Sequence, residues 1–205
     1  MTGNELSHDE TIELLNRLAS QSLSLWDIPE ESNARLINVS ENATYLVEAS
    51  DGFKSVLRVH REDYHTRNAI GCEHAWSRAL NKESDVRTPG ILPGRDGSTI
   101  QTSSIEELRS ERHLVMFEFV EGEEPEQDGD LVPSFEELGE IAARTHNHSV
   151  SWRRPDNFER LIWDLNTVFG PNATWHDWRD APNMTNTIQS VLEETQVVVS
   201  ERLQR

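Results

Sequence analysis

Histidine, cysteine and charged pairs are the side chains that could carry chemistry in this chain of 205 residues. Neutral imidazole is a good ligand for zinc, so His60, His65, His74, His146, His148 and His176 are the first candidates for a metal centre. Their spacings match no strong ligand pattern, and the single cysteine, Cys72, supplies no Cys pair to complete one. Cys72 reads instead as a small core residue. Arg58, in Val56-Leu57-Arg58-Val59, and Glu73 are an oppositely charged pair. Taken alone, each reads as a solvated side chain on a strand and on a helix. Asp63 and the acidic loop from Glu121 to Asp130 read as solvated surface, or as a lip for a cationic substrate.

These side chains need elements to position them. The longest apolar run is His113-Leu114-Val115-Met116-Phe117-Glu118-Phe119-Val120, closed by Glu121-Gly122. A short apolar run ending at glycine predicts a buried strand that surfaces abruptly. Before it, Ser7-His8-Asp9-Glu10 is a capping box that starts a helix running to about Leu25. Ala34 to Val39 predicts a weak strand. Ala43–Ala49 and Phe53–Val59 flank Ser50-Asp51-Gly52 as a hairpin. Asp63 to Asn81 predicts a helix packed on the sheet, Val86 to Pro93 a loop, and Ser98 to Ser103 a strand paired across the Asp96-Gly97 turn. After the run the sequence reads as helical. A second capping box at Ser134-Phe135-Glu136-Glu137 opens a helix through His146, and Thr185 to Arg205 forms a last one. The order is that of an α+β fold.

The net charge of −18 argues against nucleic acid as a partner and against an anionic membrane surface. Only Lys54 and Lys82 break the arginine monopoly among 19 basic residues, a composition that suits either high salt or an ordinary acidic protein. No run is long enough to span a bilayer, and the polar N-terminus lacks the features of a secretory signal. With one cysteine, the expected location is the reducing cytoplasm.

Together these residues resemble the aminoglycoside phosphotransferase / choline kinase / homoserine kinase type II family, which shares the protein-kinase fold. Ser40-Glu41-Asn42-Ala43-Thr44-Tyr45 is similar to that family's nucleotide-covering turn. Val56-Leu57-Arg58-Val59 is similar to the strand with the phosphate-binding base, and Glu73 to the helix glutamate that pairs with it. Leu114 to Gly122 resembles the hinge strand, and Leu138-Gly139-Glu140-Ile141-Ala142-Ala143-Arg144-Thr145-His146 the first long helix of the second lobe.

The resemblance implies a nucleotide-binding lobe over residues 1–117, with an antiparallel five-stranded sheet and one packed helix. A hinge and partial helical lobe follow over 118–205. It implies ATP as the cofactor, held by Glu41, Asn42, Arg58 and Glu73, with Met116 behind the adenine and the backbone of Glu118, Phe119 and Val120 bonded to it. The implied reaction is phosphoryl transfer from ATP to a hydroxyl of a small molecule. The family's catalytic loop, His-x-Asp-x-x-x-x-Asn, and its metal-binding Asp are not found, since no His-x-Asp occurs after His113. The chain is therefore expected to be a truncated kinase without catalytic or Mg²⁺-binding residues of its own, and to self-associate through an uncovered face carrying Trp152, Trp163, Trp175 and Trp178. The other reading is a non-catalytic nucleotide-binding or interaction module.

Overall fold

The fold is organised on strand β6 (Arg112–Glu118), the predicted apolar run. In this computed structural model, residues 6–123, 129–171 and 173–203 are described. Part of the acidic loop, residues 124–128, lies outside them. Contacts divide the chain into two compact units, residues 1–159 and 160–205.

Helix α1 (His8–Ser22) starts at the predicted capping box. Ser7 Oγ accepts from the Glu10 amide and Glu10 answers the Ser7 amide. One 3₁₀ turn, Leu23–Leu25, ends it. Strands β1 (Asn33–Val39), β2 (Ala43–Glu48) and β3 (Lys54–Val59) form an antiparallel meander with a bulge between Leu36 and Asn38. The β2–β3 turn needs Gly52, whose φ is +92°, a region open mainly to glycine.

Helix α2 (Arg67–Glu83) begins later than predicted. Thr66 caps it by accepting from the Ala69 amide, and Asp63 stands outside in a left-handed conformation (φ 55°). Strands β4 (Ile91–Leu92) and β5 (Gln101–Ser103) follow. The sheet has six strands rather than five, the additional one being β4 inside the expected loop. β4 and β5 do not pair with each other across the Asp96-Gly97 turn. Both pair with β6 along its free edge, β5 beside Arg112–Leu114 and β4 beside Met116 and Phe117.

The sheet separates two cores. Leu18, Trp26, Tyr45, Leu57, Val59, Leu114 and Met116 fill the α1 face. Ile70, Ile100 and Val115, with Ile91 and Phe117, fill the α2 face. Helix α3 (Val132–Ser151) starts ahead of the second predicted box, which does not form. Pro133 occupies the first turn, where a missing N–H costs nothing.

In the second unit, α4 (Leu165–Phe169) has its own capping box on Asp164, and α5 (Asn186–Leu203) is the predicted last helix. Among the described residues no helix is long and apolar enough to cross a membrane.

Candidate functional site

Arg58 and Glu73 come together. Arg58 Nη1 donates to Glu73 Oε1 at 2.9 Å, joining the middle of the sheet to α2. The side chains are 33% and 25% exposed, so the pair is reachable from solvent and still has fixed geometry. Both sides are stiff. Arg58 pairs with Thr44 on β2 and Val115 on β6, and Glu73 lies mid-helix.

Strand parity decides which neighbours share this face. Opposed residues in an antiparallel ladder point the same way. Val56 opposes Phe117 and Arg58 opposes Val115, whereas Leu57 opposes Met116. Phe117 therefore stands beside Arg58, with the guanidinium 4.9 Å from its ring centre. His74 meets the ring edge at 6.5 Å and 86°. Met116 is turned to the other side, fully buried in the α1 core. It does not share a face with Arg58, whereas Phe117, which the sequence reading did not name, does.

Two histidines flank the pair. His74 is buried, with Nδ1 3.1 Å from Thr99 Oγ1, and burial is the main cause that lowers its pKa to about 4. His60 is buried two residues beyond Arg58. Burial first, and the Arg58 charge second, lower its pKa to about 3. Both rings therefore stay neutral near pH 7.

Glu41 and Asn42 occupy the β1–β2 turn, and Asn42 Oδ1 accepts from the Arg61 amide at 3.2 Å. They line a cavity of about 330 Å³ with Thr11 and Leu15 of α1 and with His60, so this hollow opens on the α1 face. The turn sits at the end of the β2–β3 ladder that holds Arg58.

The expected adenine contacts divide. The Glu118 amide is already bonded to Gly90 O at 2.9 Å and is not free for a ligand. Glu118's carboxylate lies over Gly90, where an added Cβ would meet it at 2.4 Å and push this side-chain end aside. Phe119 and Val120 lie beyond the strand, and no described residue accepts from their amides. Lys54 Nζ stands 5.0 Å from the Phe119 ring centre. Among the described residues no three His, Cys, Asp or Glu side chains converge as a metal centre requires.

The sequence model of the phosphotransferase enzyme family (APH) matches residues 34–202. This chain belongs to that family. No curated protein matches it. Among solved structures, a microcompartment-associated aminopropanol kinase is 38% identical, with a TM-score of 0.81 over 91% of this chain and 56% of the other. An amicoumacin kinase in complex with AMP-PNP, Ca²⁺ and Ami is 15% identical, with a TM-score of 0.67 over 97% of this chain and 57% of the other. The chain thus spans little more than half the length of these solved structures. Its fold is α+β and protein-kinase-like, as the sequence predicts.

Proposed function

We propose that this phosphotransferase chain is the nucleotide-binding part of an ATP-dependent kinase for a small molecule bearing a hydroxyl. Residues 1–117 act as the nucleotide lobe, and 118–205 as hinge and partial helical lobe. The observation that carries the reading is the 2.9 Å ion pair of Arg58 and Glu73 on two rigid elements. Phosphoryl transfer depends on positioning and charge neutralisation more than on covalent chemistry by the protein. Arg58 supplies charge and a planar fork for phosphate oxygens, and Glu73 keeps the fork aimed. The turn of Glu41 and Asn42, at the end of the ladder that holds Arg58, covers the phosphates through its backbone, since the hollow its side chains line opens on the α1 face. The backbone of Phe119 and Val120 takes the adenine edge, with Phe117 in the place expected of Met116. Mg²⁺ accompanies ATP, and its ligands belong to the catalytic loop and metal motif that residues 113–205 do not contain.

The aminopropanol kinase likeness at 38% identity supports a reading of the acceptor class. A small amino alcohol is the best candidate, and a chain of net charge −18 draws an ammonium group toward it. The expected location is the cytoplasm.

Titration with Mg-ATP, followed by thermal unfolding, tests the reading. Ligand at 100 times its Kd stabilises by about 2.7 kcal/mol. No shift at millimolar ATP removes the nucleotide site. The second reading, a module that binds without turnover, is favoured by the missing His-x-Asp after His113. Incubation with Mg-ATP and aminopropanol, watched by ³¹P NMR, separates the two. Phosphorylated product supports the enzyme, and ATP binding without product supports the module. Reading the coding sequence past Arg205 for an in-frame His-x-Asp-x-x-x-x-Asn adds an independent check.

A further inference from the structure

We propose that Asn157 and Glu159 clasp α2 from outside and thereby set the position from which Glu73 aims Arg58. The effect on ligand binding rests on the nucleotide reading above; the clasp itself does not.

Helix α2 has no acidic residue of its own in the first turn. Glu159 supplies one. Its Oε1 accepts from the Thr66 hydroxyl at 2.8 Å, and its Oε2 from Asn68 Nδ2 at 2.8 Å. The Thr66 oxygen meanwhile accepts from the Ala69 amide at 3.0 Å, so the helix cap and the clasp share one hydroxyl. Asn68 also donates to the Asn157 carbonyl at 2.8 Å and accepts from the Asn157 side-chain amide. One turn further along, the Cys72 sulfur accepts from the Glu159 amide at 3.3 Å and lies 3.7 Å from the Asn157 carbonyl. A carboxylate at this end of a helix also meets the positive end of its dipole. The hydrogen bonds from Asn68 and then Thr66 hold Glu159 below the usual carboxylate range.

The clasp is itself anchored. The Phe158 amide closes a turn onto Pro155 O at 3.0 Å, and the Phe158 ring stands edge-on to Trp152 at 5.8 Å. Trp152 stacks on His148 of α3, whose Nε2 lies 3.1 Å from Glu83 Oε2 at the far end of α2. One segment thus ties both ends of a helix of 17 residues, about 25 Å long. Glu73 follows Cys72 directly. A slide or rotation of α2 that broke the clasp would also carry Glu73 away from Arg58. Binding at Arg58 and closure of the clasp are then two outlooks on one equilibrium, and each must favour the other by the same factor.

Cys72 makes this measurable. It is the chain's one cysteine, 3% exposed, beneath Asn157 and Glu159. Its labelling rate with Ellman's reagent therefore reports clasp opening, while circular dichroism monitors global unfolding. Asn157→Ala and Glu159→Gln should each speed labelling about tenfold or more without matching global unfolding. The control Glu13→Gln, on the exposed side of α1, should not. Asn68→Ala combined with Asn157→Ala should do no more than Asn68→Ala alone, because among the described residues the Asn157 side chain bonds only Asn68. Mg-ATP should slow wild-type labelling by a factor within the roughly 5- to 150-fold range of ordinary couplings, and the clasp variants should lose ATP affinity by a similar factor.

Unchanged labelling in the variants overturns the clasp, whatever ATP does. Faster labelling with unchanged ATP affinity overturns its link to Arg58. If wild type does not bind ATP at all, the nucleotide reading and the link fall together, and labelling without nucleotide still decides the clasp.

Discussion

Arg58 shares its face of the sheet with Phe117, guanidinium to ring centre 4.9 Å, while Met116 points to the opposite core. Substitutions can therefore separate the two sides. Arg58→Ala should weaken Mg-ATP binding tenfold or more, and Phe117→Ala should follow it in direction. Met116→Leu should leave affinity unchanged and cost less than about 1.5 kcal/mol of stability, as volume-conserving swaps do. Arg58→Ala itself should change stability by no more than about 1 kcal/mol, because a part-exposed ion pair contributes little to folding. Isothermal titration and urea unfolding read these effects. Equal loss of affinity in Met116→Leu and Phe117→Ala would refute the assignment of faces.

Tyr45 lies in the α1 core with no exposure and no hydrogen-bond partner for its hydroxyl among the described residues. Burial pushes its pKa up to about 12. A buried hydroxyl without a partner forfeits its hydration, a penalty of about 1–3 kcal/mol. Tyr45→Phe removes the group and keeps the ring. The urea midpoint should stay level or rise, by up to about 1 kcal/mol in unfolding free energy. A fall of that size would mean the hydroxyl is satisfied in solution.

The elements were legible because their signals are local. The Ser7 box and the Asp51-Gly52 turn each act within a few residues. Face assignment in β6 was not. Leu114, Val115, Met116 and Phe117 are all apolar because helices cover both faces, so the strand has no polar phase from which to count. The register that puts Arg58 opposite Val115 is a non-local fact. So is the bond from the Glu118 amide to Gly90, which removes one expected hinge donor. The clasp was invisible for the same reason, since Asn68 and Asn157 are 89 residues apart. The failed box at Ser134 shows a local signal overridden by a proline one residue earlier.

Acid should destabilise the fold through His60 and His74. Burial keeps both rings uncharged down to about pH 3 and about pH 4, although Glu73 opposes the trend at each. In the unfolded chain both protonate near pH 6.5. Between these limits the unfolded state binds more protons. Stability is therefore complete above about pH 6.5 and declines as the pH falls, by at most about 1.4 kcal/mol per pH unit for each histidine. Urea unfolding at pH 7 and pH 5, above the range where most carboxylates titrate, should show the loss. His60→Leu should flatten it. A slope unaltered by that change would assign the acid sensitivity elsewhere.

Helix α3 carries Val132, Phe135, Leu138 and Ile141 at 62%, 63%, 57% and 41% exposure. Each is three residues from the next, so neighbouring side chains touch and the four make an apolar row that winds about half-way round the helix within the first unit. Such strips on a free surface favour association. In the second unit, Trp163 and Trp175 stack on each other at 4.8 Å and remain 67% and 45% exposed. The chain is expected to self-associate with rising concentration in size-exclusion chromatography with light scattering. Phe135→Glu with Leu138→Lys should restore the monomer while leaving the melting temperature nearly unchanged, because neither side chain is buried. Tryptophan substitutions at Trp163 and Trp175 locate any remaining contact. A monodisperse monomer of the wild-type chain at high concentration would show that neither surface is adhesive.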